Sequence, residues 1–320
     1  MVPEVGAQVA SAIVPARRIC QLLQLCAVSY YRYLGSARAK AERAEEEDDD
    51  KAVREVFWRH SRRYGSRRIH AELRAKGIRI GRHRIRKSLA EQGLRAIQPK
   101  SFVPRTTESR HSLGYSPNLL LGEEVPPQGP RRIIVGDITY LPLIDGDFLY
   151  LASWMDLYSR KVLGWTVEER MEEQLVTEAM EMALRRHAPF SEGVVVHSDR
   201  GGQYAGKGFR QLLERHGIRQ SMSRAGESYD NAFAESLFSR YKSELLEGGA
   251  FTDVEEARSE SFNYIEVYYN RVRRHSALGY LSPDEYERKY QEEKEREAAP
   301  QQRMQKTRSR KSQLSNTRVS

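Results

Sequence analysis

The spacing of apolar residues changes character along the chain. Residues 17–34 place Ile19, Leu22, Leu23 and Cys26 at helical intervals, followed by Tyr30, Tyr31 and Tyr33, and predict a short helical module. The run EEEDDD at residues 45–50 repels itself and is expected to be a solvated linker or a helix edge. Val53, Val56 and Phe57 space as a helix again, and Tyr64-Gly65 breaks it. Ser66 is placed to cap a second helix, RRIHAELRAK, which Gly77 ends; Ile78 and Ile80 lead into a third, RHRIRKSLAEQ, which Gly93 ends. In that third helix Ile85 and Leu89 lie four apart and face a core, leaving Arg82, Arg84, Arg86 and Lys87 outward. Two short helices joined at a glycine turn, the second lined with arginine, make either a helix-turn-helix that lays its second helix in a DNA major groove or an ordinary basic hairpin.

Residues 98–130 carry Pro99, Pro104, Pro117, Pro126, Pro127 and Pro130 and predict an extended linker. Beyond it the period drops to two. Residues 132–141, 147–155 and 160–168 predict three strands, with a turn at Asp156 to Ser159. Leu175, Val176, Ala179, Met180, Ala183 and Leu184 make one helical stripe, and Val194 to Val196 a short buried strand running into His197-Ser198-Asp199. Phe209, Leu212 and Leu213 mark a helix ended by Gly217, Ile218 to Met222 a fifth strand, and residues 230–246 a further helix. That order predicts an α/β fold of ribonuclease H arrangement: a mixed five-stranded sheet with flanking helices, preceded by an all-helical region. The expected divisions are a helical segment and acidic linker (1–50), a helix-turn-helix-like domain (51–105), a Pro-rich linker (106–130), the catalytic core with its C-terminal helix (131–290) and a basic disordered tail (291–320).

Charge sharpens this division. Residues 1–110 carry 24 Lys and Arg against 12 Asp and Glu, residues 111–290 carry 21 against 28, and residues 291–320 carry 8 against 4. Basic flanks around an acid-rich centre suit a protein whose arms hold a polyanion, nucleic acid above all, while the centre does something else. No stretch approaches the roughly 18 apolar residues of a spanning helix, so no membrane role is expected. The first residues have no basic leader before their apolar stretch, and a cytoplasmic location is expected. Cys20 and Cys26 are too few for a disulfide framework and lack zinc-site spacing.

Three acids are placed for chemistry. Asp137 falls in the first strand, on the face shared by Ile133, Val135 and Thr139, where an ionised carboxylate is costly unless a cation meets it. Asp199 ends the fourth strand, where ligands gather in open α/β sheets. Glu235 lies on the helix after the fifth strand, on a polar side with Asn231, Ser239 and Lys242, opposite Phe233, Leu237 and Tyr241. Such placement lets three carboxylates converge and hold two Mg²⁺ ions about 3.5 to 4 Å apart. His197 either steers a phosphate or water or is structural; Tyr204 either stacks on a base or packs in the core; Lys242 meets either a phosphate or solvent. Residues 254–272 place Val254, Ala257, Ser261, Ile265, Tyr268 and Val272 on one helical stripe. After it Arg271, Arg273 and Arg274 are expected to meet backbone phosphate. Residues 303–320 carry six basic and no acidic residues, which predicts disorder with nonspecific DNA affinity.

The segments GDITYLP, HSDRGGQY, SMSRAGESYDNAFAESLFSRYKSEL and YYNRVRRHSALGYLSP resemble the successive motifs of DDE transposases related to retroviral integrases, in particular the second-frame product of two-frame bacterial insertion sequences. The resemblance is loose over residues 17–34, good over 52–105 and close over 131–290. It implies that Asp137, Asp199 and Glu235 form a triad holding two Mg²⁺ or Mn²⁺ ions and that Asn231 is the helix-opening Asn of the family. It further implies cleavage and strand transfer at the element's terminal inverted repeats, insertion into target DNA, a homo-oligomeric working complex, and a need for the companion product of the upstream frame or a fusion with it. The chain departs from the pattern in reading Ile133-Ile134-Val135-Gly136 where the family usually has a Trp before the first Asp, and in its basic tail. The rival readings are a catalytically silent DNA-binding regulator, which would need a broken triad, and a ribonuclease H-like nuclease, which would not need the long basic N-terminal region.

Overall fold

A computed structural model of the chain describes residues 20–22, 24–98, 114–120, 127–187, 190, 192–223 and 232–298. They belong to two compact units, residues 1–96 and 97–320. In the first, α1 (Ala27–Arg59), α2 (Ser66–Ala75) and α3 (Arg82–Glu91) close on a small core of Val53, Val56, Phe57, Tyr64, Ile69, Leu73, Ile80 and Ile85. Gly77 and Gly93 leave α2 and α3 at positive φ, as the sequence predicts. Gly65, not Ser66, is the N-cap of α2, and no side chain caps it.

The acidic run is not a linker: residues 45–50 lie within α1. Helical spacing gathers Glu46, Asp49 and Asp50 on one side, where they meet α3. Arg84 donates to the Glu46 carbonyl (2.6 Å) and pairs with Asp50 (2.7 Å) and Asp49 (3.3 Å); Lys87 pairs with Glu46 (3.2 Å). Self-repulsion within the run is thus offset by the basic helix it faces. The expectation that Arg84 is left outward is corrected accordingly, whereas Arg82, Arg86 and Lys87 are exposed.

The second unit holds β1 (Ile133–Pro142), β2 (Phe148–Asp156), β3 (Val162–Glu168), α4 (Glu173–His187), β4 (Val195–Ser198), α5 (Gly202–Ala205), α6 (Lys207–Arg215), β5 (Arg219–Met222), α7 (Ala232–Tyr241) and α8 (Val254–Phe262). The sheet order is β3-β2-β1-β4-β5, antiparallel across β1–β2 and β2–β3 and parallel across β1–β4 and β4–β5. This is the mixed sheet expected from the element order. One face buries Ile134, Trp154 and Leu163 under the apolar stripe of α4 and under Phe209, Leu212 and Leu213 of α6. The other buries Ile133, Val135 and Leu151 under Leu237, Phe238 and Tyr241 of α7 and Tyr264 and Ile265 beyond α8. Gly136 is required between them, because a Cβ there would lie 2.2 Å from the Trp154 ring.

Two helices change pitch. After α7 the chain winds as a π-helix over Lys242–Leu246, and after α8 over Asn263–Tyr269. A π turn carries an extra residue, so a stripe at 3.6-residue spacing drifts off the core. Val272 is consequently 46% exposed, and Tyr264 and Tyr269 are buried in its stead. Residues 283–298 form α9, so the first part of the expected disordered tail is helical, with Arg288–Glu292, Lys289–Glu293 and Lys294–Glu297 pairs along it. Residues 303–320 lie outside the described residues. Of the Pro-rich stretch, residues 114–120 follow β5: Leu119 N–H donates to Ser221 Oγ (2.9 Å) and Ser116 Oγ to Gln220 Oε1 (2.7 Å).

Candidate active site

Asp137 lies at the middle of β1, the central strand of the sheet, on the face that receives α7. Its Oδ1 accepts the Ile138 N–H (2.9 Å). Burial is the main force holding this carboxyl well above the usual aspartate range; repulsion by Asp199 adds to it, repulsion by Glu235 adds less, and Lys242 opposes. Asp199 leaves β4, which runs parallel to β1, and its Oδ1 accepts the Gly201 N–H (2.9 Å), so the turn fixes the carboxylate's direction. Glu235 is exposed in the first turn of α7.

Lys242, two helical turns after Glu235, opens the π stretch and is half-buried. Burial pulls its pKa down and the Asp137 charge pushes back. The four side chains therefore share one electrostatic neighbourhood. They are not packed into one knot: among the described residues, no three His, Cys, Asp or Glu side chains form a group that could hold a metal ion. Asn231 lies outside the described residues.

The other candidates separate. His197 is fully buried on β4, with Nδ1 2.8 Å from Ser221 Oγ on β5. That bond ties two strands together, the structural side of the alternative. Tyr204 packs in the core against Trp154 and Phe209. Arg273 is not available for phosphate: its side chain is 2% exposed and grips Glu244, whose own is 5% exposed, through Nε (2.7 Å) and Nη2. Arg274 donates to the Tyr280 carbonyl (2.8 Å) and is half-buried, and only Arg271 of the three is exposed. The physical reason is the pitch change, which turns Arg273 inward behind the π stretch. Sequence reasoning passed over Arg200, which stands beside Asp199, donates to the Ser223 carbonyl (2.8 Å) and lies over the Tyr115 ring. Its adjacency to Asp199 was the available signal.

Comparison with known proteins follows the same division. Residues 127–228 and 216–283 match integrase core domains, and residues 43–102 match the HTH-like domain. Over 275 residues the chain is 40% identical to transposase InsF for insertion sequence IS3A of Escherichia coli K12, covering 85% of this chain and 94% of that protein. A 31 kDa protein of insertion element IS600 from Shigella sonnei is 37% identical, with 85% and 98% covered. Among solved structures, the HTLV-2 integrase catalytic core domain in complex with magnesium is similar at 14% identity and a TM-score of 0.35, over 50% of this chain and 98% of that one. Identity at this level along nearly the full length of such relatives means that the chain belongs to the InsF-type transposases of IS3-family insertion sequences.

Proposed function

We propose that this transposase performs divalent-metal-dependent cleavage and strand transfer of DNA at the ends of its insertion sequence, with Asp137, Asp199 and Glu235 as metal-holding carboxylates. The observation that carries the reading is the placement of Asp137 on β1 and of Asp199 just past the end of the parallel neighbouring strand β4, with Asp199, Glu235 and Lys242 all acting on the Asp137 charge. Buried acids that repel one another destabilise a fold, and a bound cation relieves that cost. The donor set is all carboxylate oxygen, which suits Mg²⁺ or Mn²⁺, and we assign two ions. Ions bound there would lower the pKa of an attacking water or DNA 3′-hydroxyl and neutralise charge on the phosphodiester. In that exchange a new P–O bond forms as the bond to the leaving 3′ oxygen breaks, so no covalent protein intermediate is needed.

The chain's own groups do the rest. Ionised Asp137 and Asp199 supply negative charge from a rigid sheet, and Gly201 N–H keeps Asp199 oriented. Lys242, whose pKa burial lowers and the Asp137 charge partly restores, offers its ammonium to a non-bridging phosphate oxygen. Arg82 and Arg86, exposed on α3, hold duplex DNA, and Arg271 meets backbone phosphate. Homo-oligomerisation, the upstream-frame companion and work at the bacterial nucleoid belong to the same proposal. Labelled terminal-repeat DNA tests it: nicking should require Mg²⁺ or Mn²⁺ and stop on chelation, and nicking that persists in chelator rejects it.

The helical unit makes a separate prediction. Arg86→Ala should weaken binding to terminal-repeat DNA and lower the salt slope by about 1, the signature of one lost phosphate contact. Arg84→Ala, removing a residue already spent on Asp49 and Asp50, should leave that slope unchanged and lower the thermal stability of the unit. Salt-titrated fluorescence anisotropy with both variants decides; the opposite ranking would mean that α3 presents another face.

A further inference from the structure

Arg160 occupies a place in the β2–β3 turn that favours glycine. Its φ is +61°, in the left-handed region that crowds an L side chain. The turn is imposed from beneath. Fully buried Asp156 accepts the Arg131 N–H (2.8 Å), the Ser159 N–H (2.9 Å) and the Ser159 hydroxyl (2.6 Å) on its carboxylate, and the Arg160 N–H (2.9 Å) on its carbonyl. Nothing in that network uses the arginine side chain, and glycine would close the same turn without strain. What offsets the strain has to come from what the side chain touches.

It touches α7. The guanidinium carbon lies 3.9 Å from the centre of the Phe233 ring, close enough to stack on its face. Arg160 is half-buried, yet among the described residues its guanidinium enters no ion pair. Burial works against its charge, which Tyr269 and then Asp156 support. Phe233 stands in the first turn of α7, two residues before Glu235. Leu237, Phe238 and Tyr241, which seat α7 on the sheet, all come after Glu235, and Phe233 is only half-buried against the same cluster. The first N–H groups of a helix have no intrahelical partner, and helix ends fray. Glu235 thus sits at the end of α7 that apolar packing holds least, and the Arg160 stack pins that end.

We propose that Arg160 is a positioning residue for Glu235: stacked on Phe233, it ties the first turn of α7 to the β2–β3 turn, so that the Glu235 carboxylate is presented in one orientation to the cations it shares with Asp137 and Asp199. This rests on the metal-holding role given to Glu235 above and adds to it a residue outside the triad that touches neither metal nor DNA. The stack moves no proton. It lends a flat cation to an aromatic face, which the point charge of a lysine reproduces poorly.

The test uses the full-length chain as wild type, Arg160→Gly, Phe233→Leu, Glu235→Gln and the double variant Arg160→Gly with Glu235→Gln. Metal-free hydrogen exchange and Mn²⁺ titration are separate readouts. Glycine accepts the left-handed turn, so Arg160→Gly should melt close to the wild type. Its Ser236, Leu237 and Phe238 amides, which reach back to the first-turn carbonyls, should exchange about fivefold faster, and Mn²⁺ should bind about tenfold more weakly. Phe233→Leu, which keeps an apolar side chain and removes the ring, should show the same two changes. In the Glu235→Gln background, Arg160→Gly should cost no further affinity, since the carboxylate it positions is gone. Unchanged exchange or affinity in Arg160→Gly, an equal loss of affinity in both backgrounds, or a large drop in its melting temperature overturns the positioning role while Glu235→Gln still weakens binding. Wild-type Mn²⁺ affinity in Glu235→Gln instead overturns the metal-holding reading of Glu235, and the inference with it.

Discussion

Asp199→Asn should reduce metal-dependent cleavage of terminal-repeat DNA by about a thousandfold or more, since a lost metal-binding carboxylate forfeits several kcal/mol of transition-state stabilisation. The substitution suits the question because it changes charge and little else. The amide oxygen of Asn can still accept the Gly201 N–H that now bonds Asp199 Oδ1, so the turn after β4 has no reason to move. Removing the Asp199 charge also takes away the main repulsion on Asp137, so the metal-free core should be as stable as the wild type or more so. The duplex binding proposed for Arg82 and Arg86 lies in the other compact unit and should persist. Single-turnover cleavage and a gel-shift titration on the same preparation check both halves. Cleavage within tenfold of the wild type would remove Asp199 from the site.

Why Asp137 and Asp199 were legible in the sequence, and other residues were not, follows from the range of the forces involved. The strands around Asp137 are written in local alternation: Ile133 and Val135 go to one buried cluster and Ile134 to the other, as a period of two requires. Asp137 shares parity with Ile133 and Val135, so its appearance on the α7 face was a matter of counting. Asp199 follows a four-residue buried strand, and strand ends in parallel pairs are where such sheets place their chemistry. Both inferences need only a few neighbouring residues.

Deciding between open alternatives, and correcting the misreadings, needed partners from elsewhere. EEEDDD looks self-repelling in isolation, yet Glu46, Asp49 and Asp50 fall three and four apart, and residues 84 and 87, some forty positions on, supply the cations. A solvated linker and a charged helix face have the same composition; only the second has that spacing. The C-terminal segment misled differently. Helical bookkeeping at 100° per residue fails across a π turn, and two such turns, at Lys242–Leu246 and Asn263–Tyr269, rotate everything after them. Val272 was thereby placed in the core and Arg273 on the surface, and the fold does the reverse.

That reversal gives the second large effect. Glu244→Gln should destabilise the catalytic unit by about 3–5 kcal/mol, because the Arg273 guanidinium then stays buried without a countercharge. Glu244 accepts from Arg273 Nε (2.7 Å) and from the Tyr264 hydroxyl (3.0 Å), so one carboxylate ties the π stretch after α7 to residues 20 and 29 positions further along. Tyr264 is itself fully buried against Tyr241, and an unpaired charge beside it has no route to water. At roughly 2–4 °C per kcal/mol for a unit of this size, the melting temperature should fall by about 10 °C. The double variant Glu244→Leu with Arg273→Met should recover most of the loss, since an apolar pair of similar volume avoids the desolvation cost. If Arg273 were instead a phosphate contact, Arg273→Met alone would melt near the wild type and bind DNA with a salt slope smaller by about 1. Calorimetry and anisotropy on that single variant separate the two outcomes. The buried pair requires a large drop in melting temperature and an unchanged slope, because a guanidinium enclosed by Glu244 and Tyr269 has no DNA to release.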